Sequence, residues 1–297
     1  MNNIELLLIL GAGGLVGSNL YITAIKRGYK VVATTRRDGQ IEDSVFFDFA
    51  TGNPKDLSKF IIDPNKTCAI IAGGITNIGY CFVHKDEVKA VNVDGTIRLL
   101  RYFNDIGVKT VWFSSDQVFD GIKGDYSEDD IVNPICEYGR SKMIVEQFVL
   151  QNLPDTLIYR IPKQYDNTLS NKNLFSEIKN ELETNGIIRN IQGLVYNPTY
   201  VKDTVECVIK GIENGLYGLY NVASPQCIPR HEISKVLLSK MGITVDKSIR
   251  VPLESLTFLK EPKALNTTMN TDKFARAIGY RFRDYRDIIA VSEGIKS

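Results

Sequence analysis

The sequence predicts an α/β fold: a Rossmann-type doubly wound parallel sheet with a smaller C-terminal substrate-binding lobe. Three observations carry this. Strand-like apolar runs alternate with helical periodicity through the first half, the pattern that builds a parallel sheet covered by helices on both faces. A glycine-rich loop joins the first run to the first helix, and the second half is less regular and more polar. With 297 residues and 43% hydrophobic content, the chain can bury one large core, or a core with a smaller lobe.

The elements follow in order. "IELLLIL" reads as the first strand, followed by a helix from about Leu15 to Arg27 and the strand "KVVATT". "CAIIAGG", a helix from about Glu87 to Asn104, "KTVWFSS", a helix from about Tyr138 to Leu150 and "TLIYRI" continue the alternation. Turn clusters at "DNTLSNKN", "NPTY" and "ASPQCIP" mark the change of texture. The reading is therefore a dinucleotide-binding core over residues 1–163, joined by late strands from about 200–224, and an interleaved lobe over 164–297.

Bulk properties exclude several classes. Lys and Arg total 36 against 35 Asp and Glu, so the chain lacks the footprint of a general nucleic-acid or membrane-surface binder. An anionic ligand must be met locally. The opening apolar run contains Glu5 and is too short to span a bilayer, which favours a cytoplasmic protein. Five scattered cysteines (Cys68, Cys81, Cys136, Cys207 and Cys227) point to reduced thiols, and with only His84 and His231 present no metal site is expected.

The loop "GAGGLVGSNL" sets Gly11, Gly14 and Gly17 at three-residue intervals, with Val16 where the commoner fingerprint has glycine. Gly11 permits the tight turn, Gly13 or Gly14 lets the backbone approach a pyrophosphate, and Gly17 allows close helix packing. The first-turn N–H groups around Leu15 and Val16 then face the phosphates. At the tip of the second strand Thr35 stands where an NAD site usually has an acid, followed by Arg36 and Arg37, whose guanidinium groups suit a 2′-phosphate. NADP is thus favoured over NAD, although Asp38 leaves NAD open. Asp48 in "FFDFA" is placed either at the adenine edge or in a plain turn, and Ala72 and Gly73 fall along the expected cofactor path.

The stretch "WFSSDQVFDG" begins as a buried strand and ends in Ser114, Ser115, Asp116 and Gln117. Ligands of an open parallel sheet sit beyond the carboxyl ends of its strands, so polar residues belong there. Downstream, Tyr138 and Lys142 in "EYGRSK" are spaced to share one helix face. A phenol of ordinary pKa is a poor catalyst at neutral pH, and a neighbouring ammonium with a bound nicotinamide would favour its phenolate. Ser115 would hydrogen-bond a reacting carbonyl oxygen and Tyr138 would protonate it. Lys142 would orient the cofactor ribose and tune the tyrosine.

These motifs together resemble the extended short-chain dehydrogenase/reductases, most closely the dTDP-4-dehydrorhamnose reductase branch. The resemblance is carried by "GAGGLVGSNL", "AVNVDGT", "SSDQVFDG", "DYSEDD", "NPICEYGRSKMIVEQ", "YRIP", "NPTYVKD" and "GLYNVAS", and is specific in the first half. It places the family's catalytic Ser/Thr, Tyr and Lys on Ser115, Tyr138 and Lys142, and its helix asparagine on Asn92, which is equally open to a structural role. It implies NADPH-dependent reduction of the C4 keto group of a nucleotide-linked 4-keto-6-deoxysugar, with no nucleic-acid or membrane partner. It is compatible with a homodimer.

The departures narrow that implication. Related dehydratases carry an acid at the position of Gln117, so dehydration is disfavoured. Fucose-synthase-like enzymes use a Cys and a His, and neither His84 nor His231 matches that histidine. The rhamnose branch usually has Tyr at Gln117, an aromatic near Lys163 and Arg at Glu261, so an altered sugar or nucleotide is expected. Asp116, Gln117, Lys163 and Arg189 are the expected substrate contacts, with Lys260 and Lys263 as further candidates for a diphosphate. Two alternatives stay open: a cofactor-retaining sugar-nucleotide epimerase, and a non-catalytic NADP-binding subunit like the regulatory subunit of methionine adenosyltransferase.

Overall fold

Five consecutive apolar residues, Leu6–Leu10, form the central strand β1, and all but the first are buried. The computed structural model describes residues 4–37, 41–168, 173–255 and 261–291. Helix α1 (Leu15–Lys26) and strand β2 (Lys30–Thr35) follow, then the short strand β3 (Val45–Phe46) and strand β4 (Thr67–Ile71). Next come α2 (Thr96–Asp105), β5 (Lys109–Ser115), α3 (Glu137–Asn152) and β6 (Leu157–Ile161). Helices α4 (Leu174–Asn185) and α5 (Val201–Glu213) precede the last sheet strand, β7 (Gly218–Asn221), and helix α6 (Arg230–Lys240) comes after it.

The seven strands form one sheet in the order β7-β6-β5-β4-β1-β2-β3, with every pairing parallel. The Rossmann-type doubly wound expectation holds. The chain reverses direction of travel between β1 and β4, which opens a crevice at the carboxyl ends of those strands, where such sheets bind ligands.

Strand alternation divides the core. Leu7, Ile9, Ile70, Val111, Phe113 and Tyr159 face α1 and α5, whereas Leu8, Leu10, Ile71, Trp112 and Ile158 face α2 and α3. Each such side chain, fully buried, contributes about 1.5–3 kcal/mol relative to exposure. A third cluster, including Tyr165, Phe175, Ile178, Ile233, Leu237 and Tyr285, forms beneath α4 and α6.

One helix differs from its expectation. The segment anticipated as a continuous helix over about 87–104 opens at Lys89–Gly95 into a wider π turn before α2 begins. A π turn fits an extra residue into the helix, which a 3.6-residue periodicity does not signal, and such turns recur at functional sites. Here Asn92 is carried on it, 2% exposed.

Residues 261–270 pack back against the segment that follows β5. Asn266 N–H donates to Gly121 O at 2.9 Å, and Tyr126 N–H donates to Thr268 O at 2.8 Å. Glu261 Oε1 accepts from Glu137 N–H, the first residue of α3, at 2.6 Å. Among the described residues no helix is long and apolar enough to cross a membrane, and no cluster of His, Cys, Asp or Glu is arranged to hold a metal.

Candidate active site

Gly11 takes φ +87°, a conformation that side chains resist, and a Cβ there would come within 2.5 Å of Gly73 N. Gly17 faces the other constraint, since a Cβ would lie 2.8 Å from Ala12 Cα and overlap the Gly11 carbonyl. The two glycines thus let the β1 turn, the start of α1 and the end of β4 pack together. Gly13 and Gly14 are exposed, and no side chain caps α1 at Gly14. The amides of its first turn, Leu15 to Gly17, therefore remain a ready receptor for an anion. The residues present fit a dinucleotide.

At the tip of β2, the Thr35 hydroxyl donates to Arg37 O at 2.9 Å and lies 3.1 Å from Ser44 Oγ. It shapes a turn from which Arg36 and Arg37 project, both exposed; Arg36 lies 3.8 Å from Glu87. Asp38 and Lys260 lie outside the described residues. The Asp48 carboxylate accepts Ala50 N–H at 2.7 Å, which is turn chemistry. Ala72 N–H donates to Leu10 O at 2.8 Å and so carries the β1–β4 pairing on toward Gly73. Beyond it Asn92 clamps the loop: its Oδ1 accepts Ile75 N–H at 2.7 Å and its Nδ2 donates to Ile75 O at 2.8 Å. That is the structural role the sequence reading left open.

Ser115, Tyr138 and Lys142 converge at the carboxyl end of β5. Ser115 is buried and lies beside half-buried Tyr138, while its own hydroxyl donates to Asp116. Lys142 Nζ donates to Phe113 O at 2.8 Å and sits 4.9 Å from the Trp112 ring centroid and 5.8 Å from that of Tyr138. Cys136 caps the helix that carries both, its sulfur accepting Gly139 N–H at 3.4 Å.

The electrostatics of the chain alone differ from those expected with a nicotinamide bound. In the chain itself burial raises the Tyr138 phenol above its ordinary value; the Ser115 hydroxyl opposes this, and nearby Asp116 adds to it. Desolvation outweighs the expected tuning by Lys142, whose own amine burial depresses to about 8. The phenol accordingly keeps its proton at neutral pH.

Asp116 is placed differently from an open substrate contact. It is 4% exposed and accepts from Thr267 Oγ1, from Ser115 Oγ at 3.0 Å and from Gln117 Nε2 at 3.2 Å. Burial raises its carboxyl. Gln117, half-buried, has its side-chain amide held by Asp116.

A family model described as the RmlD substrate binding domain matches residues 5–293. The chain belongs to that family. Among its relatives, the dTDP-4-dehydrorhamnose reductase of Aggregatibacter actinomycetemcomitans is 26% identical over 306 residues, covering 94% of this chain and 95% of that one. The spore coat polysaccharide biosynthesis protein SpsK of Bacillus subtilis strain 168 is 29% identical over 241 residues, covering 80% and 79%. A crystal structure of the Bacillus anthracis Ames dTDP-4-dehydrorhamnose reductase in complex with NADP superposes with a TM-score of 0.83 at 21% identity, over 97% of this chain and 98% of that one.

This RmlD-family chain also places residues that the sequence reading missed. Arg230, rather than exposed Arg189, joins Lys163 as a neighbour of Lys263, whose amine is lowered by burial and then by those two cations. Lys163 pairs with Glu177, and Arg230 Nη2 lies 2.7 Å from Glu181 Oε2. Among the described residues Lys263 has no such partner. Tyr196 stands nearby, its phenol pushed up to about 12 by burial against the opposing pull of Arg230. Arg230 opens α6 far from any motif, so spacing alone gave no signal for it.

Proposed function

We propose that the chain is an NADPH-dependent reductase of the C4 keto group of a nucleotide-linked 4-keto-6-deoxysugar. One observation carries the reading: Tyr138 stands beside Ser115 at the carboxyl end of β5, one helical turn before a buried Lys142 whose amine lies 5.8 Å from the tyrosine ring centroid. NADPH, when bound, supplies the hydride. Tyr138 gives its proton to the carbonyl oxygen, and Ser115 hydrogen-bonds that oxygen and steadies the phenol. Lys142 holds its ammonium beneath the tyrosine ring, where it meets the cofactor ribose. The glycine loop and α1 N-terminus receive the pyrophosphate. Lys163, Arg230 and Lys263 support a diphosphate-bearing substrate, since Lys163 and Arg230 each already face a carboxylate whereas Lys263, pressed by both cations, does not among the described residues.

The reading is tested by incubating the protein with NADPH and dTDP-, UDP- and GDP-linked 4-ketosugars while following absorbance of the reduced nicotinamide. Oxidation with at least one is expected. Tight NADPH binding with no oxidation throughout would favour a binding role, and turnover without net oxidation an epimerase.

Arg36 and Arg37 support NADP over NAD. The Arg36→Ala/Arg37→Ala double variant is expected to weaken NADPH binding about tenfold or more, the loss of one or two charge-assisted hydrogen bonds, and to leave NADH binding unchanged. An unaltered ratio of the two affinities would mean that both arginines are solvated turn residues.

A further inference from the structure

One turn beyond Lys142, Glu146 lies inside the protein with both carboxylate oxygens on Arg160 of β6. Arg160 Nε donates to Oε1 at 2.9 Å and Nη2 to Oε2 at 2.8 Å, and the two side chains are 3% (Arg160) and 2% (Glu146) exposed. Arg160 Nη1 donates to Glu128 O at 3.3 Å, and its guanidinium carbon lies 4.9 Å from the Phe119 ring centroid.

Taking two full charges out of water is costly, and apolar replacements of such pairs are often as stable or more so. Stability alone therefore gives little reason for this pair. Its location gives a better one. The i, i+4 spacing puts Glu146 on the same face of α3 as Lys142. Arg160 is in register with Ser114, the residue before Ser115. The pair thus joins the helix bearing Tyr138 and Lys142 to the strand beside Ser115.

We propose that Glu146, locked by Arg160, is a positioning residue that keeps Lys142 an ammonium at neutral pH, so that its charge meets the cofactor. This rests on the reductase reading above. Around the lysine the neighbours are Phe113 O, the Trp112 and Tyr138 rings, the Cys81 thiol on the adjoining 78–83 helix, and Glu146. Burial depresses the amine to about 8, and Glu146 is the foremost group opposing that fall. Because the folded value lies below the ordinary one, the ammonium is complete below about pH 8 and is lost as pH rises through it.

The test is NADPH affinity, followed by fluorescence from about pH 6 to about pH 9.5 and read alongside melting temperature. In the unaltered protein affinity should be level below about pH 8 and fall above it. Glu146→Gln should move that fall down by about one pH unit, leaving binding up to about tenfold weaker in between. It also strands the Arg160 charge, so the Glu146→Met/Arg160→Met double variant guards against a folding defect. That protein should melt within a few degrees of the original yet still show a downward displacement, smaller than in Glu146→Gln because the Arg160 charge is removed as well. Lys142→Arg, a group that keeps its charge, should abolish the pH dependence. A midpoint left unmoved in the folded variants, whatever their overall affinity, would overturn the proposal. No NADPH binding by the unaltered protein at any pH would instead sink the reductase reading.

Discussion

Replacing Tyr138 with phenylalanine is expected to lower turnover by about 10²–10⁴-fold, the range for loss of a positioned general acid. NADPH affinity should change by less than about threefold, because the ring and its packing against Lys142 survive and only the hydroxyl beside Ser115 is lost. The two effects separate in a dissociation constant measured by nicotinamide fluorescence and a kcat measured by absorbance. Burial keeps the phenol protonated across the neutral range, so it begins each cycle holding the proton it must give. Turnover that persists in the phenylalanine variant would remove Tyr138 from the mechanism.

Gly11→Ala is expected to damage both stability and cofactor binding. An L side chain at φ +87° costs about 1–2 kcal/mol. The overlap with Gly73 adds about 1–3 kcal/mol, because the opposing atoms are backbone and cannot swing aside. A fall in melting temperature of roughly 5–10 °C follows. Displacing the β1 turn also moves the amides at the start of α1, so NADPH binding should weaken by at least about tenfold. A variant that melts normally and binds normally would show that the β1 turn and the end of β4 can part without consequence.

Much of this architecture was legible because the sheet writes itself in alternation. β2 and β5 coincide with the runs "KVVATT" and "KTVWFSS", and α1 starts at Leu15 as read. β5 is buried over six consecutive residues, as a strand covered on both faces must be, and such a run survives in a linear string. Three things were not written there. The π turn at Lys89–Gly95 adds a residue without disturbing the apolar pattern, so it read as plain helix. Arg230 reaches Lys263 only through tertiary folding, since 33 residues separate them in the chain. The Tyr138 phenol was expected to be eased toward its anion by Lys142 and a bound nicotinamide together; in the chain alone its desolvation, which no spacing encodes, raises it instead.

The thread from Glu261 to Asn270 closes the site from the far end of the polypeptide. Thr267 reaches Asp116 across 151 positions, and Tyr126 is bracketed by Thr268 and Asn270. During synthesis the strand–helix units around β1 to β5 can assemble first from local contacts, but Asp116 has no Thr267 partner until the chain has grown 151 residues further. The polar surroundings of Asp116 are therefore finished later than the sheet that carries it.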